Sequence, residues 1–221
     1  MNIDMTSRSS SFQPFLRTAL LSLAMALAAL FLSGCLTFEE TLVFSKNGSL
    51  AGTLRYHIPA TAIPLAETSA FGKIIMDKAA VQELLQKADV GLTLYQHRNF
   101  DRDGIRHIEI IILAPDAKKA LASGIFGKMA LNDSAIPGDL VFSVEMPALP
   151  SADISQPNHP QMFALLNGFK ATLTIQTPTE IIETNATTKD FNMASWTFTC
   201  NGEDGTISIA APDATELKAR W

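Results

Sequence analysis

Hydrophobic and polar positions along this chain fall into three patterns, and each names a kind of element. The first is an apolar run from Thr18 to Leu32, free of charge, Gly and Pro. It is short of the roughly 20 residues that a spanning helix needs. The second is period-two alternation. Leu36, Phe38, Leu42 and Phe44 alternate with polar or smaller residues, and Leu50, Gly52, Leu54, Tyr56 and Ile58 share one face opposite Thr53, Arg55 and His57. Asn47-Gly48 between them is the dipeptide that a type I′ turn asks for, since both positions need positive φ, so the segment predicts a hairpin. The third is helical spacing: Val81, Leu84, Leu85 and Ala88 form a one-sided stripe over Asp77–Ala88, with Asp77 placed to cap it.

The alternation then resumes. Val90, Leu92 and Leu94 lead into a turn at Asp101-Arg-Asp-Gly104, and Ile108, Ile110 and Ile112 return on one face with His107, Glu109 and Ile111 on the other. Pro59 and Pro64 end the first hairpin, and Glu67–Met76 shows neither period clearly. Asp116–Leu121 reads as a short helix continuing loosely to Met129, and Leu140–Met146 as a strand. The four prolines between Pro147 and Pro160 mark a loop or linker too long for an idle turn. A helical turn near Met162–Leu166 precedes strands through Ala171, Leu173 and Ile175, then Ile181-Ile182, Trp196, Phe198 and Cys200, the turn Asn201-Gly-Glu-Asp-Gly205, and Ile207 with Ile209.

The order ββ-α-ββ-α-β predicts an α+β fold: a mainly antiparallel sheet with about two helices packed on one face, followed by a strand-rich C-terminal part. The expected divisions are a leader over 1–34, an α+β region over 35–146, the Pro-rich segment 147–162, and 163–221. The last is either an extension of the sheet or a small β subdomain.

The leader rests on more than hydropathy. Met1–Arg17 carries Arg8 and Arg17 against Asp4, the apolar run follows, and Ser33-Gly34-Cys35 ends it. A charged start, an apolar stretch and small residues before a break make a secretory signal. Leu32-Ser33-Gly34-Cys35 moreover resembles the lipobox of bacterial lipoproteins. That resemblance implies cleavage between Gly34 and Cys35 and acylation of Cys35, where two or three chains give a stable anchor that one would not. Leu36 after the acylated residue favours the outer over the inner membrane in enterobacteria-like envelopes.

Charge narrows the partners. The chain has 17 basic and 22 acidic residues, a net of −5, and loss of the leader removes two bases and one acid. Such an acidic domain is a poor candidate for nucleic acid or for an anionic lipid surface held by charge, and nucleic acid is set aside. With Cys35 acylated, Cys200 stands without an intramolecular partner. Its face is shared with Trp196 and Phe198, which predicts a buried, inert thiol.

Catalytic signatures are missing: there is no Gly-x-Ser-x-Gly elbow, no His-Glu-x-x-His and no phosphate-cradling glycine loop. His57, His97, His107 and His159 are scattered, which favours solvent-facing strand histidines over a three-histidine metal site. Asp101-Arg-Asp103-Gly104 opens like a calcium loop, but Ile112 stands where the bidentate acid belongs, so a hairpin turn is the expectation. Asn185-Ala-Thr187 fits a turn in which Asn adopts positive φ. No enzyme, metal or cofactor is therefore expected beyond the covalent lipid on Cys35.

The lipobox, the strand-Lys46-Asn47-Gly48-strand that follows, the later Asp-Gly hairpin, and Pro178-Thr-Glu-Ile-Ile-Glu-Thr-Asn185 with Trp196 together resemble LppM-type envelope lipoproteins. The likeness spans most of residues 35–210. It implies an α+β envelope domain with affinity for lipids or glycolipids and no known catalysis, with Pro178, Asn185 and Trp196 structural. Two features depart from the pattern: many relatives carry a C-terminal membrane helix that this chain, ending at Trp221, does not show, and the Pro147–Pro160 segment is longer. The leading expectation is a membrane-tethered, non-catalytic domain that binds an amphiphile. The rival is a scaffolding lipoprotein docking a periplasmic protein, and a hydrolase using His57 with His107 stands third.

Overall fold

The computed structural model describes residues 36–145, 168–203, 206–210 and 216–221. Gly34, Cys35, His159, the Pro147–Pro160 segment and the helical turn near Met162–Leu166 lie outside them.

β1 (Thr37–Phe44) and β2 (Leu50–Pro59) form the first hairpin, paired in register from Thr37 with His57 to Phe44 with Leu50. The turn between them is not type I′. Among its residues only Gly48 has positive φ (82°), and Asn47 instead uses its side-chain oxygen to accept from the Ser49 backbone N–H at 3.1 Å. The type I′ signature falls on the second hairpin, where Asp103 (52°) and Gly104 (75°) are both left-handed between β3 (Thr93–Arg102) and β4 (Ile105–Ala114). Pairing there runs on to Arg102, so the turn is tighter than the four residues 101–104.

The stretch after β2 that shows no clear period is helical: α1 (Ile63–Thr68) and α2 (Ala70–Met76) precede α3 (Lys78–Lys87). The Asp77 side chain accepts from Ala79 N–H at 2.8 Å and caps α3, whose Val81 and Leu85 are buried while Leu84 turns outward. α4 is confined to Ala117–Ala122; beyond it the chain turns and enters β5 (Met129–Asp133) rather than continuing as helix.

The strands divide between two sheets. The larger is mixed. With β7 (Lys170–Gln176), β9 (Thr188–Asp190), β10 (Met193–Glu203) and β11 (Thr206–Ala210) it runs in the order β11-β10-β7-β1-β2-β4-β3, and β9 pairs with β10. β1 and β7 are parallel; the other described ladders are antiparallel. The smaller sheet has the order β5-β6-β12-β8, with β6 (Leu140–Glu145), β8 (Glu183–Thr184) and β12 (Glu216–Arg220). The molecule is thus an α+β, strand-rich fold with few helices.

One face of the large sheet is the inner one. It carries Leu42, Phe44, Leu54, Ile108, Ile110, Ile112, Leu173, Ile175 and Trp196, all buried. Ile75, Val81 and Leu85 of the helices join this core, and the small sheet adds Phe142, whose ring lies 6.0 Å from Phe44 and 6.2 Å from Trp196. Phe126 closes over Gly52, where the missing Cβ leaves room for its ring. No described helix is long and apolar enough to cross a membrane.

Candidate functional site

β1 puts an acid where an apolar residue belongs. Residues 38, 40, 42 and 44 point to the inner face, and the third position from Leu36 in that series is Glu40. β1 is a central strand, so Leu54 of β2 stands opposite Glu40 on one side and Leu173 of β7 on the other. Glu40 is 5 % exposed, and its Oε1 is buried with no hydrogen-bond partner among the described residues. Burial pushes its pKa up from 4.5 to about 8, which favours the protonated carboxyl at neutral pH. Tyr56, diagonal to it on β2, has its phenol raised above the ordinary value, first by burial and then by the charge Glu40 would carry.

A path of aromatic rings leads outward from this acid. Phe38, the inward neighbour of Glu40, lies 4.9 Å from the ring of Tyr56, and Tyr56 lies 5.8 Å from Phe71 of α2, which is 60 % exposed. Chemically this is one uncharged polar group at the inner end of an apolar strip. It can hydrogen-bond a hydroxyl, carbonyl or phosphate oxygen whose attached hydrocarbon lies on the rings.

The outer face of the sheet gathers two of the three described histidines. Thr37, His57, His107 and Phe100 are cross-strand partners in one row. His57 and His107 have ring centroids 4.9 Å apart, His107 stacks on Phe100 at 5.1 Å, and His57 Nδ1 is 2.7 Å from Thr37 Oγ1. The next row adds Arg55, held to Glu109 at 2.9 Å, and Arg98; with His57, His107 and Phe100 they line a shallow depression of about 160 Å³. Burial, then the neighbouring His107, keeps His57 below its ordinary pKa. Among the described residues no carboxylate is hydrogen-bonded to His57, the group that would orient it as a general base.

His97 does not join them, and it is not solvent-facing. A bulge between Leu94 and Gln96 shifts the register of β3, so His97 pairs with Ile110 on the inner face and bonds the carbonyl of Ile75 at 2.8 Å. No group of three or more His, Cys, Asp or Glu among the described residues is arranged to hold a metal ion. The acids of the second hairpin turn are taken by arginines: Asp101 chelates Arg106, and Asp103 lies 3.3 Å from Arg102.

A wider open groove of about 760 Å³ lies between the turn after α4 and strands β5 and β6, lined by Leu121, Gly124, Lys128, Met129, Ser143 and Glu145. Among the described residues that line it, Ser143 carries a hydroxyl and none is a histidine. Cys200 is buried, and burial raises its thiol pKa. Asn185 works by its side chain, not by positive φ: its Oδ1 accepts from Trp196 Nε1 at 3.1 Å and from the Lys218 backbone N–H at 2.8 Å.

Sequence reasoning passed over Glu40, although the signal was present as an acid in phase with Phe38, Leu42 and Phe44. No family model and no curated protein matches the chain. Among solved structures, the NMR structure of the folded domain of LppM from Mycobacterium tuberculosis is similar at 11 % identity and a TM-score of 0.43, covering 84 % of this chain and 88 % of that one.

Proposed function

We propose that this chain is an envelope lipoprotein, tethered by acyl chains on Cys35, whose folded domain binds an amphiphile without transforming it. The ligand class is a lipid or glycolipid with an oxygen to offer Glu40 and a hydrocarbon portion to lie along Phe38, Tyr56 and Phe71. The observation that carries the reading is the buried Oε1 of Glu40, which has no hydrogen-bond partner among the described residues. An unsatisfied buried polar group costs about 1–3 kcal/mol, and a ligand that satisfies it recovers that cost. The anchor is read from Leu32-Ser33-Gly34-Cys35, and in an enterobacteria-like envelope Leu36 would favour the outer membrane. No cofactor and no catalytic step belong to this reading.

Native mass spectrometry of residues 36–221, taken from the periplasm of the native host without detergent, tests it. An adduct of lipid mass, reduced in the Glu40→Leu variant, is the expected result. A bare protein that takes up nothing from an envelope lipid extract overturns it. That second outcome favours a scaffolding role, for which the exposed apolar side chains of Ile182, Phe191 and Met193 supply a surface.

A further inference from the structure

The end of the large sheet that β1 enters carries several exposed apolar side chains. Phe100 (46 % exposed) closes the row Thr37–His57–His107–Phe100, and Ile105 (36 %) pairs with Pro59 at the last step of β2. The chain leaving Pro59 stays at this end: Ala60 N–H donates to Gly104 O at 2.9 Å, and Glu67 of α1 lies 4.0 Å from Arg106 of β4. Those helices add Leu65 (48 %) and Phe71, the latter packed on Tyr56, which is itself the partner of Phe38. Large apolar side chains therefore stand on both sides of one sheet end.

Covalent geometry says what faces that end. Cys35 precedes Thr37 by two residues, and two extended residues reach at most about 7 Å. An acylated Cys35 would hold Thr37, the first member of the row that Phe100 closes, near the membrane surface. The charges of the neighbouring hairpin tip are largely matched among themselves, Arg102 with Asp103 and Arg106 with Asp101 and Glu67, so approach strands no like-charged cluster despite the acidic chain. Phe191 and Met193, also exposed, are at the Gln176 end of β7, beside Val43. At about 3.3 Å per residue, the length of β1 puts them roughly 20 Å farther from the anchor.

We propose that Leu65, Phe71, Phe100 and Ile105 enter the headgroup layer of the bilayer that holds the Cys35 lipid. This rests on the reading of Cys35 as acylated. It goes beyond tethering, because a seated domain has one orientation and presents Phe71, the outer member of the aromatic path to Glu40, to the membrane from which an amphiphile would come.

The test uses the full lipoprotein reconstituted into vesicles of phosphatidylethanolamine and phosphatidylglycerol, with or without bromine on the acyl chains. Trp is introduced singly as Phe71→Trp, Phe100→Trp or Phe191→Trp over the constant background of buried Trp196 and Trp221. Interfacial apolar residues sit about 5–10 Å into the headgroup–acyl boundary, so the first two variants should lose at least about half of the added emission to bromine and the third almost none. The mass of the N-terminal peptide reports acylation separately. An acylated Cys35 with both rim variants unquenched overturns the seating and leaves the anchor standing. Quenched rim variants with an unmodified Cys35 overturn the anchor and support the seating. Phe191→Trp quenched while the other two are not reverses the proposed orientation.

Discussion

Glu40 and Tyr56 are diagonal neighbours on the inner face of the large sheet, because Leu54 stands opposite Glu40 and Tyr56 opposite Phe38. Two ionisable groups therefore share an apolar interior, and each is held in its neutral form. Below pH 4.5 Glu40 is protonated in both folded and unfolded chains. Between 4.5 and about 8 the unfolded chain ionises while the folded one keeps its proton, so the contribution to stability is lost as pH rises and levels off above about 8. Urea unfolding of the parent against Glu40→Gln should show this as a difference with a slope of up to roughly 1.4 kcal/mol per pH unit, the parent being the weaker at high pH. Parallel curves would show that Glu40 is not protonated in the fold.

The Asn185 carboxamide ties the indole of Trp196, the largest fully buried side chain, to the backbone of β12. Asn185→Ala leaves a buried N–H without its acceptor and should cost about 1–3 kcal/mol in denaturant unfolding. Asn185→Asp keeps an acceptor and should cost less. Equal losses would mean that the bond from Trp196 is not what Asn185 supplies.

Gly52 is small because the Phe126 ring occupies the space a Cβ would take. Gly52→Ala should destabilise by about 1–3 kcal/mol through overpacking. In a double-mutant cycle with Phe126→Leu, the cost of the added methyl should shrink by more than about 0.5 kcal/mol. Additive costs would place the strain elsewhere.

His57 should titrate below 6.5 in an NMR pH series, since burial and His107 both oppose its protonation. A base depressed in the folded state loses stability as pH falls through its unfolded value, so the cost appears below about pH 6.5. His107→Gln removes the second cause and should move the His57 titration upward. No movement would show that the two rings do not interact.

Cys35→Ser should remain uncut after Gly34 and drop out of the acyl-labelled, membrane-held pool. A variant that is still labelled and processed would remove the lipid anchor from the account.

What the residues alone determined is what short-range chemistry controls. The first hairpin follows from period-two alternation around a glycine turn, α3 from a 3.6-residue stripe with Asp77 at its cap, and the inward face of β4 from Ile108, Ile110 and Ile112. In each, a residue's state depends on neighbours a few positions away. The tertiary structure decided what depends on distant partners. Alternation put Glu40 in phase with Phe38 and Leu42, but only the placing of β2 and β7 on either side of β1 buried its carboxyl. Pattern likewise could not part the strands into two sheets, since an apolar face looks the same whichever sheet it joins. Nor could it separate His97 from His57 and His107. A side chain's face has a period of two, and one bulged residue near Tyr95, set by pairing with β4, was enough to send His97 to the opposite side.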